Sequence, residues 1–256
     1  MKLLTARALA DAGRIDVLGF SVPKESKRAR AAMGVVPQQD NLDEELTVRE
    51  NLEVYAHLYR VPRKRRRLAV NDALALAHLT DRQDTRVDNL SGGMRRRLLM
   101  ARGLVHTPRL VLLDEPTAGL DPQFRGELWG LIDRLRSQGT TVLMSTHYIE
   151  EAERLCDDCA LMSHGKVVAR GKPAELVARH AGKHVVEHHG PPNRLAEIQE
   201  LVQAAGLPTR HTGPSVAILR AEEMTAALAD ALGYDGVRRA ANLEDVFVLL
   251  TGERPE

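Results

Sequence analysis

The run RLVLLDEPTAGLD at residues 109–121 stops abruptly in two acids, Asp114 and Glu115. The preceding LVLL (110–113) has the continuous apolarity of a strand buried on both faces. Open α/β sheets place their ligands at the carboxyl ends of parallel strands. Carboxylates delivered there can hold a hard cation through oxygen or take a proton from an attacking nucleophile. Alone, an apolar run followed by two acids is a weak signal, and three other stretches bear on it.

In LSGGMRRRLLMARGL (90–104), Ser91 is a natural N-cap. Gly92 and Gly93, flanked by Leu90 and Met94, let the backbone approach something closely as a helix begins. The free N–H groups of a helix start make an anion site, although an ordinary capped helix has the same look. His147 directly follows TTVLMST (140–146), a second strand expected to be buried, so its imidazole should reach the cleft edge that Glu115 occupies. A purely structural histidine is the plain alternative. Gln38 follows Pro37 at the end of a third strand in MGVVPQQ (33–39), where its amide oxygen could meet a metal or a water.

The elements that must carry these residues are legible in outline. After Pro122, the residues Leu128, Leu131, Ile132 and Leu135 form one helical stripe that Gly139 closes before the 140–146 strand. A strand–helix–strand unit of this kind implies a parallel sheet with a right-handed crossover. Thr47 and Glu50 have capping-box spacing, and Leu52, Tyr55, Leu58 and Tyr59 are expected on one face of the helix that follows. CALMSHGKVVARG (159–171) reads as a hairpin turning at His164–Gly165. The histidine- and proline-containing RHAGKHVVEHHGPPNR, from residue 179, reads as a linker into a small α/β unit of strands such as 215–221 and helices at 194–205 and 243–251. Asn242 and Asp245 would cap the last of these.

Taken in order, VVPQ (35–38), LSGGM (90–94), LLDEPTAGLD (112–121) and STH (145–147) resemble the ATP-binding subunit of ABC transporters over about residues 3–178. LSGGMRRR, EEAERLCD (150–157) and NLEDVFVLLTG (242–252) resemble the exporters of drugs and lipo-oligosaccharides, the daunorubicin-resistance and nodulation-factor types. The resemblance implies an α/β fold: a P-loop NTPase-like parallel sheet with an ABC helical subdomain at about 44–95, the whole spanning 1–178. A small C-terminal α/β accessory domain is expected at 184–254. Asp114 and Gln38 would hold Mg²⁺ on ATP, Glu115 would be the general base, and His147 would contact the γ-phosphate. Leu90, Ser91, Gly92, Gly93 and Met94 would press on ATP held by a second ATP-binding subunit, in a homodimer or heterodimer, with Asp121 communicating across that interface. The partner to be driven would be a separate transmembrane subunit, which puts the chain in the cytoplasm on the inner face of the membrane.

The phosphate loop G-x-x-x-x-G-K-[S/T] that should accompany these motifs is not among the 256 residues, and MKLLTARALADAGRIDVLG (1–19) resembles the helix end, turn and strand that follow such a loop. The cradle is therefore expected upstream of Met1. Micromolar nucleotide binding is worth about 8 kcal/mol, and charge-assisted phosphate contacts contribute roughly 1.5–3 kcal/mol each. Losing three leaves millimolar affinity or weaker, so these residues alone are expected to be inactive. The competing class is a non-hydrolysing partner on the same fold that lends only its signature motif to another subunit's ATP site.

Composition removes other classes. Aromatics at 3 % and a net charge of +1 argue against a nucleic-acid surface. Arg7 interrupts the N-terminal apolar stretch, so no secretory signal is expected. Cys156-x-x-Cys159 has no second pair to complete a zinc site, and His180, His184 and His188 fall where a helix is not assured. The basic stretch RVPRKRRR (60–67) reads as a solvated face or as a contact for an acidic partner or lipid headgroups.

Overall fold

A computed structural model describes residues 1–233 and 235–253, and the chain divides into two compact units, Met1–Thr146 and His147–Glu256. In the first unit residues 1–8 are turns that close as the expected helix end does: Ala6 is left-handed (φ +55°), its N–H donates to Leu3 O at 3.1 Å, and Arg7 N–H donates to Lys2 O at 2.9 Å, the paired bonds of a Schellman cap. A small antiparallel hairpin follows, β1 (Ile15–Val17) and β2 (Phe20–Val22), then α1 (Ser26–Ala31) and β3 (Met33–Val36). The helices α2 (Val48–Leu58), α3 (Arg63–Leu76) and α4 (Gly92–Leu104) precede β4 (Leu110–Asp114), α5 (Pro122–Ser137) and β5 (Thr141–Ser145). The sheet runs β3–β4–β5, all parallel, with Val36 opposite Leu113 and Asp114 opposite Ser145.

Local signals account for most of these elements. Thr47 Oγ1 accepts from Glu50 N–H at 3.2 Å and Glu50 Oε2 accepts from Thr47 N–H at 2.8 Å, completing the capping box of α2. All four stripe residues of α5 are buried: Leu128, Leu131, Ile132 and Leu135. Two expectations need correcting. The buried stripe of α2 is Val48, Asn51, Leu52 and Ala56, and Leu58 is 68 % exposed. Asn51 is taken inside because its amide donates to Asp43 O (2.9 Å) and Thr47 O (3.1 Å), and exposed Leu58 is the last residue of the helix. Strand β5 is not buried on both faces, since Thr141 is exposed and Leu143 is 43 % exposed. Among the described residues it pairs with β4 alone and so forms a sheet edge.

The second unit contains α6 (Ile149–Leu155), the hairpin β6 (Cys159–Ser163) and β7 (Lys166–Gly171), and α7 (Pro173–His180). It continues with β8 (His184–His189), α8 (Pro192–Ala204), β9 (Thr209–Thr212), β10 (Ser215–Ile218), α9 (Ala226–Leu232), β11 (Val237–Ala240) and α10 (Leu243–Thr251). The hairpin turns at His164 (φ +47°) and Gly165 (φ +74°), as its sequence implies. The expected linker is instead β8, an inner strand of the antiparallel order β11–β8–β10–β9. Its Val185 is fully buried among Leu161, Leu176, Ala217, Leu219, Leu243 and Val246, which come from both sides of the supposed boundary at 178–184. That shared core is why no division falls at 178–184. Residue 254, the far end of the expected C-terminal domain, lies outside the described residues. Asn242 and Asp245 form a full capping box on α10, and buried Asp245 also takes two Arg239 N–H donors at 2.7 Å each.

One close approach fixes α4 on the sheet. A Cβ at Gly34 in β3 would lie 2.2 Å from the Gly103 carbonyl oxygen of α4. Neither backbone can retreat as a flexible side chain could. Gly34→Ala should therefore cost about 3 kcal/mol, at the upper end for overpacking, read as a lowered urea midpoint followed by far-UV circular dichroism.

Candidate nucleotide site

The acids arrive as the sequence implies. Asp114 closes β4, and Ser145 Oγ at the end of β5 donates to its Oδ1 at 2.5 Å. Glu115 then leaves the strand with φ +44°, in the left-handed region, while its N–H still donates to Ser145 O at 3.0 Å. The departure swings its carboxylate to the Gln38 amide, whose Nε2 donates to Glu115 Oε2 at 2.7 Å. With the nitrogen so engaged, the Gln38 amide oxygen is turned away from Glu115 and is free to accept. Gln38, Asp114 and Glu115 thus form one cluster of hard oxygen donors at the ends of β3 and β4.

Sequence reasoning missed the residue that holds this cluster. Arg96, one turn into α4, donates to five main-chain carbonyls of two loops. Its Nε reaches Pro116 O at 2.8 Å, and Nη1 reaches Pro37 O at 2.8 Å and Gln38 O at 3.1 Å. Its Nη2 reaches Glu115 O at 3.0 Å and Asp114 O at 3.4 Å. Burial pulls the Arg96 pKa below its usual value, and the Asp40 and Asp114 charges oppose that fall. The neighbours of Arg96 point elsewhere. Arg95 pairs with Glu44 at 2.5 Å and Asp40 at 3.8 Å, and Arg97 lies over the Phe124 ring at 4.9 Å. The only sequence sign was the triplet itself, since three successive helical positions face three directions.

The signature residues sit at the start of the same helix. Ser91 caps α4, its Oγ accepting from Met94 N–H at 3.3 Å, and Leu90 is buried beneath it. Ser91 and Gly92 are exposed, and a Cβ on Gly92 would meet nothing within 4 Å. At Gly93 a Cβ would lie 3.0 Å from the Phe124 ring. Phe124 is tied in turn to Asp121, which caps α5 by accepting from Gln123 N–H (3.0 Å) and Phe124 N–H (3.1 Å). His147 opens the second unit, half-buried, its ring tilted against Tyr148 with centroids 4.1 Å apart.

Among the described residues no three His, Cys, Asp or Glu side chains converge to hold a metal. A divalent ion at Asp114 would have to draw on phosphate and water oxygens, which is how Mg²⁺ is ordinarily held. The donor set fits Mg²⁺ carried on a nucleotide.

Removing the Arg96 guanidinium leaves five carbonyls without their shared donor. Arg96→Ala should lower stability by about 3 kcal/mol, measured by urea unfolding, with Arg96→Lys recovering part of the loss.

The family model described as ABC transporter matches residues 1–118. A protein of Ralstonia nicotianae named Nod factor export ATP-binding protein I is 41 % identical over 261 residues, covering 98 % of this chain and 80 % of the relative. Among solved structures, cbiO1 from Clostridium perfringens, part of the ABC transporter complex cbiONQ, is 28 % identical. Its TM-score is 0.63, over 69 % of this chain and 72 % of that one. The dimeric post-hydrolysis state of the ATP-binding cassette MJ0796 bound to ADP and Pi is 26 % identical, with a TM-score of 0.59 over 67 % of this chain and 78 % of that one. With Gln38, Asp114 and Glu115 gathered at the carboxyl ends of β3 and β4 and the capped LSGG helix anchored beside them, the chain belongs to the ATP-binding subunits of the ABC transporter family.

Proposed function

We propose that this chain is the ATP-hydrolysing subunit that powers export through a separate membrane subunit. The observation that carries the reading is the 2.7 Å bond between Gln38 and Glu115 beside Asp114. It sets the carboxylate that would serve as base against the amide that would share the metal ion with Asp114. The relatives' export and ATP-binding names favour this over a partner that lends only its signature motif.

Asp114 and Gln38 would hold Mg²⁺, and the bound ion would neutralise charge on the β- and γ-phosphate oxygens. Glu115, oriented by the Gln38 amide, would accept a proton from the attacking water. His147 would orient that water and the γ-phosphate. Exposed Ser91 and Gly92, with Gly93 between Leu90 and Met94, would offer the α4 start to ATP held by a second subunit of the same kind or a homologue. Asp121 would report across that interface through Phe124, which lies against Gly93.

No helix among the described residues is long and apolar enough to cross a membrane. Attachment at the inner membrane face would therefore run through the transmembrane partner, engaged by the helical region at about 44–95. The C-terminal residues at 184–254 would serve as an accessory region.

Residues 1–256 alone should bind Mg-ATP no tighter than about 1 mM, worth about 4 kcal/mol; micromolar binding by isothermal titration would overturn the energetic argument. In a chain that carries a phosphate loop ahead of these residues, Glu115→Gln should keep ATP binding and accumulate a nucleotide-bound dimer. Turnover should drop about a hundredfold or more. Unchanged phosphate release would remove Glu115 from the role of base.

A further inference from the structure

The turn between α2 and α3 carries charge that the fold does not use. Arg63 to Arg67 are five successive basic residues opening α3, with Arg60 just before them. Among the described residues Arg60, Arg63, Lys64, Arg65 and Arg67 make no side-chain hydrogen bond or ion pair. Helix stability does not explain them either. The first turn of α3 has no acid and Pro62 offers no side-chain cap, so the cations oppose the helix dipole.

Beside this turn, a groove of about 450 Å³ lies between α2 and α3, lined by Arg49, His57, Arg63, Arg66 and Arg67 with Glu53 its one acid. Glu53 is matched by Arg49 at 3.8 Å, so the remaining charge is unopposed. Arg66 is fixed as a wall of the groove, donating to Val61 O and to His57 Nδ1, each at 2.8 Å. Apolar side chains border the patch: Leu58 at the end of α2 is 68 % exposed, Leu68 on α3 is 62 % exposed and Val54 on α2 is 45 % exposed.

The geometry points to this turn as a docking surface for anionic lipid headgroups. Arg63, Arg66 and Arg67 line the groove on one side of α3, and Lys64 and Arg65, at 100° steps from them, carry the charge round the helix end beyond that stripe. A stripe would fit one acidic helix or strand. Charge that continues past the groove and round the helix end suits a planar array of phosphates, and exposed Leu58 and Leu68 add the apolar residues found beside basic ones on membrane-surface segments. The inference rests on the reading above only in that the chain works at a membrane face.

The test is sedimentation of residues 1–256 with vesicles of phosphatidylcholine, alone or mixed with phosphatidylglycerol, at low salt and without nucleotide. The chain should bind the mixed vesicles and leave the neutral ones. Arg63→Ala with Arg67→Ala should weaken that binding about tenfold or more, at roughly 1 kcal/mol per basic residue near the surface. The charge-matched pair Lys24→Ala with Lys27→Ala, both exposed, should change it less than about twofold by the same measure. Alanine favours helix, and unchanged circular dichroism confirms folding. Equal binding to both vesicle types, equal loss in the control pair, or no vesicle binding would each overturn the proposal. So would capture of a polyglutamate peptide in place of vesicles, which would assign the surface to an acidic polypeptide. The assay needs neither ATP nor a transporter partner, so its failure leaves the ATPase reading standing. Failure of nucleotide binding likewise leaves the vesicle result standing.

Discussion

The candidate site depends on one guanidinium. Two loops leave the ends of β3 and β4, each exposing carbonyls that the sheet no longer pairs, and buried carbonyls need donors. Arg96 answers Pro37, Gln38, Asp114, Glu115 and Pro116 together. A planar fork with five N–H donors can do this from a single Cα, whereas an ammonium offers three. The loops are therefore held to α4 and through it to each other.

That anchoring also links the site to the signature motif. Arg96 stands five residues after Ser91 on one rigid helix, and α4 is pressed on β3 by the Gly34–Gly103 approach. The helix start and the loops that carry Gln38 and Glu115 therefore share one support, the close-packed α4 with its Arg96 fork.

Much of this was legible in the sequence because it is local. The capping boxes of α2 and α10, the stripe of α5 and the acids ending β4 each follow from spacing within one element. What was not legible depends on neighbours. The apolarity of β5 implied burial, yet burial needs a strand or layer on each side, and β5 pairs on one edge among the described residues. Histidines and prolines around β8 suggested a linker, while Val185 and the inner position of the strand in its sheet override that composition. Beyond the triplet itself, the role of Arg96 carries no local sign, because its partners are main-chain carbonyls up to 59 residues away that have no side-chain signature.

The backbone at Glu115 has a consequence for how this sequence can drift. At φ +44° a glutamate sits where glycine or asparagine would be more comfortable, by roughly 1 kcal/mol. Selection for stability alone would replace the acid, and the fold would gain from the exchange. The proposed role as base would account for a glutamate placed off its local optimum. On that reading, position 115 is a place where evolution toward a sturdier protein and toward a silent one follow the same path.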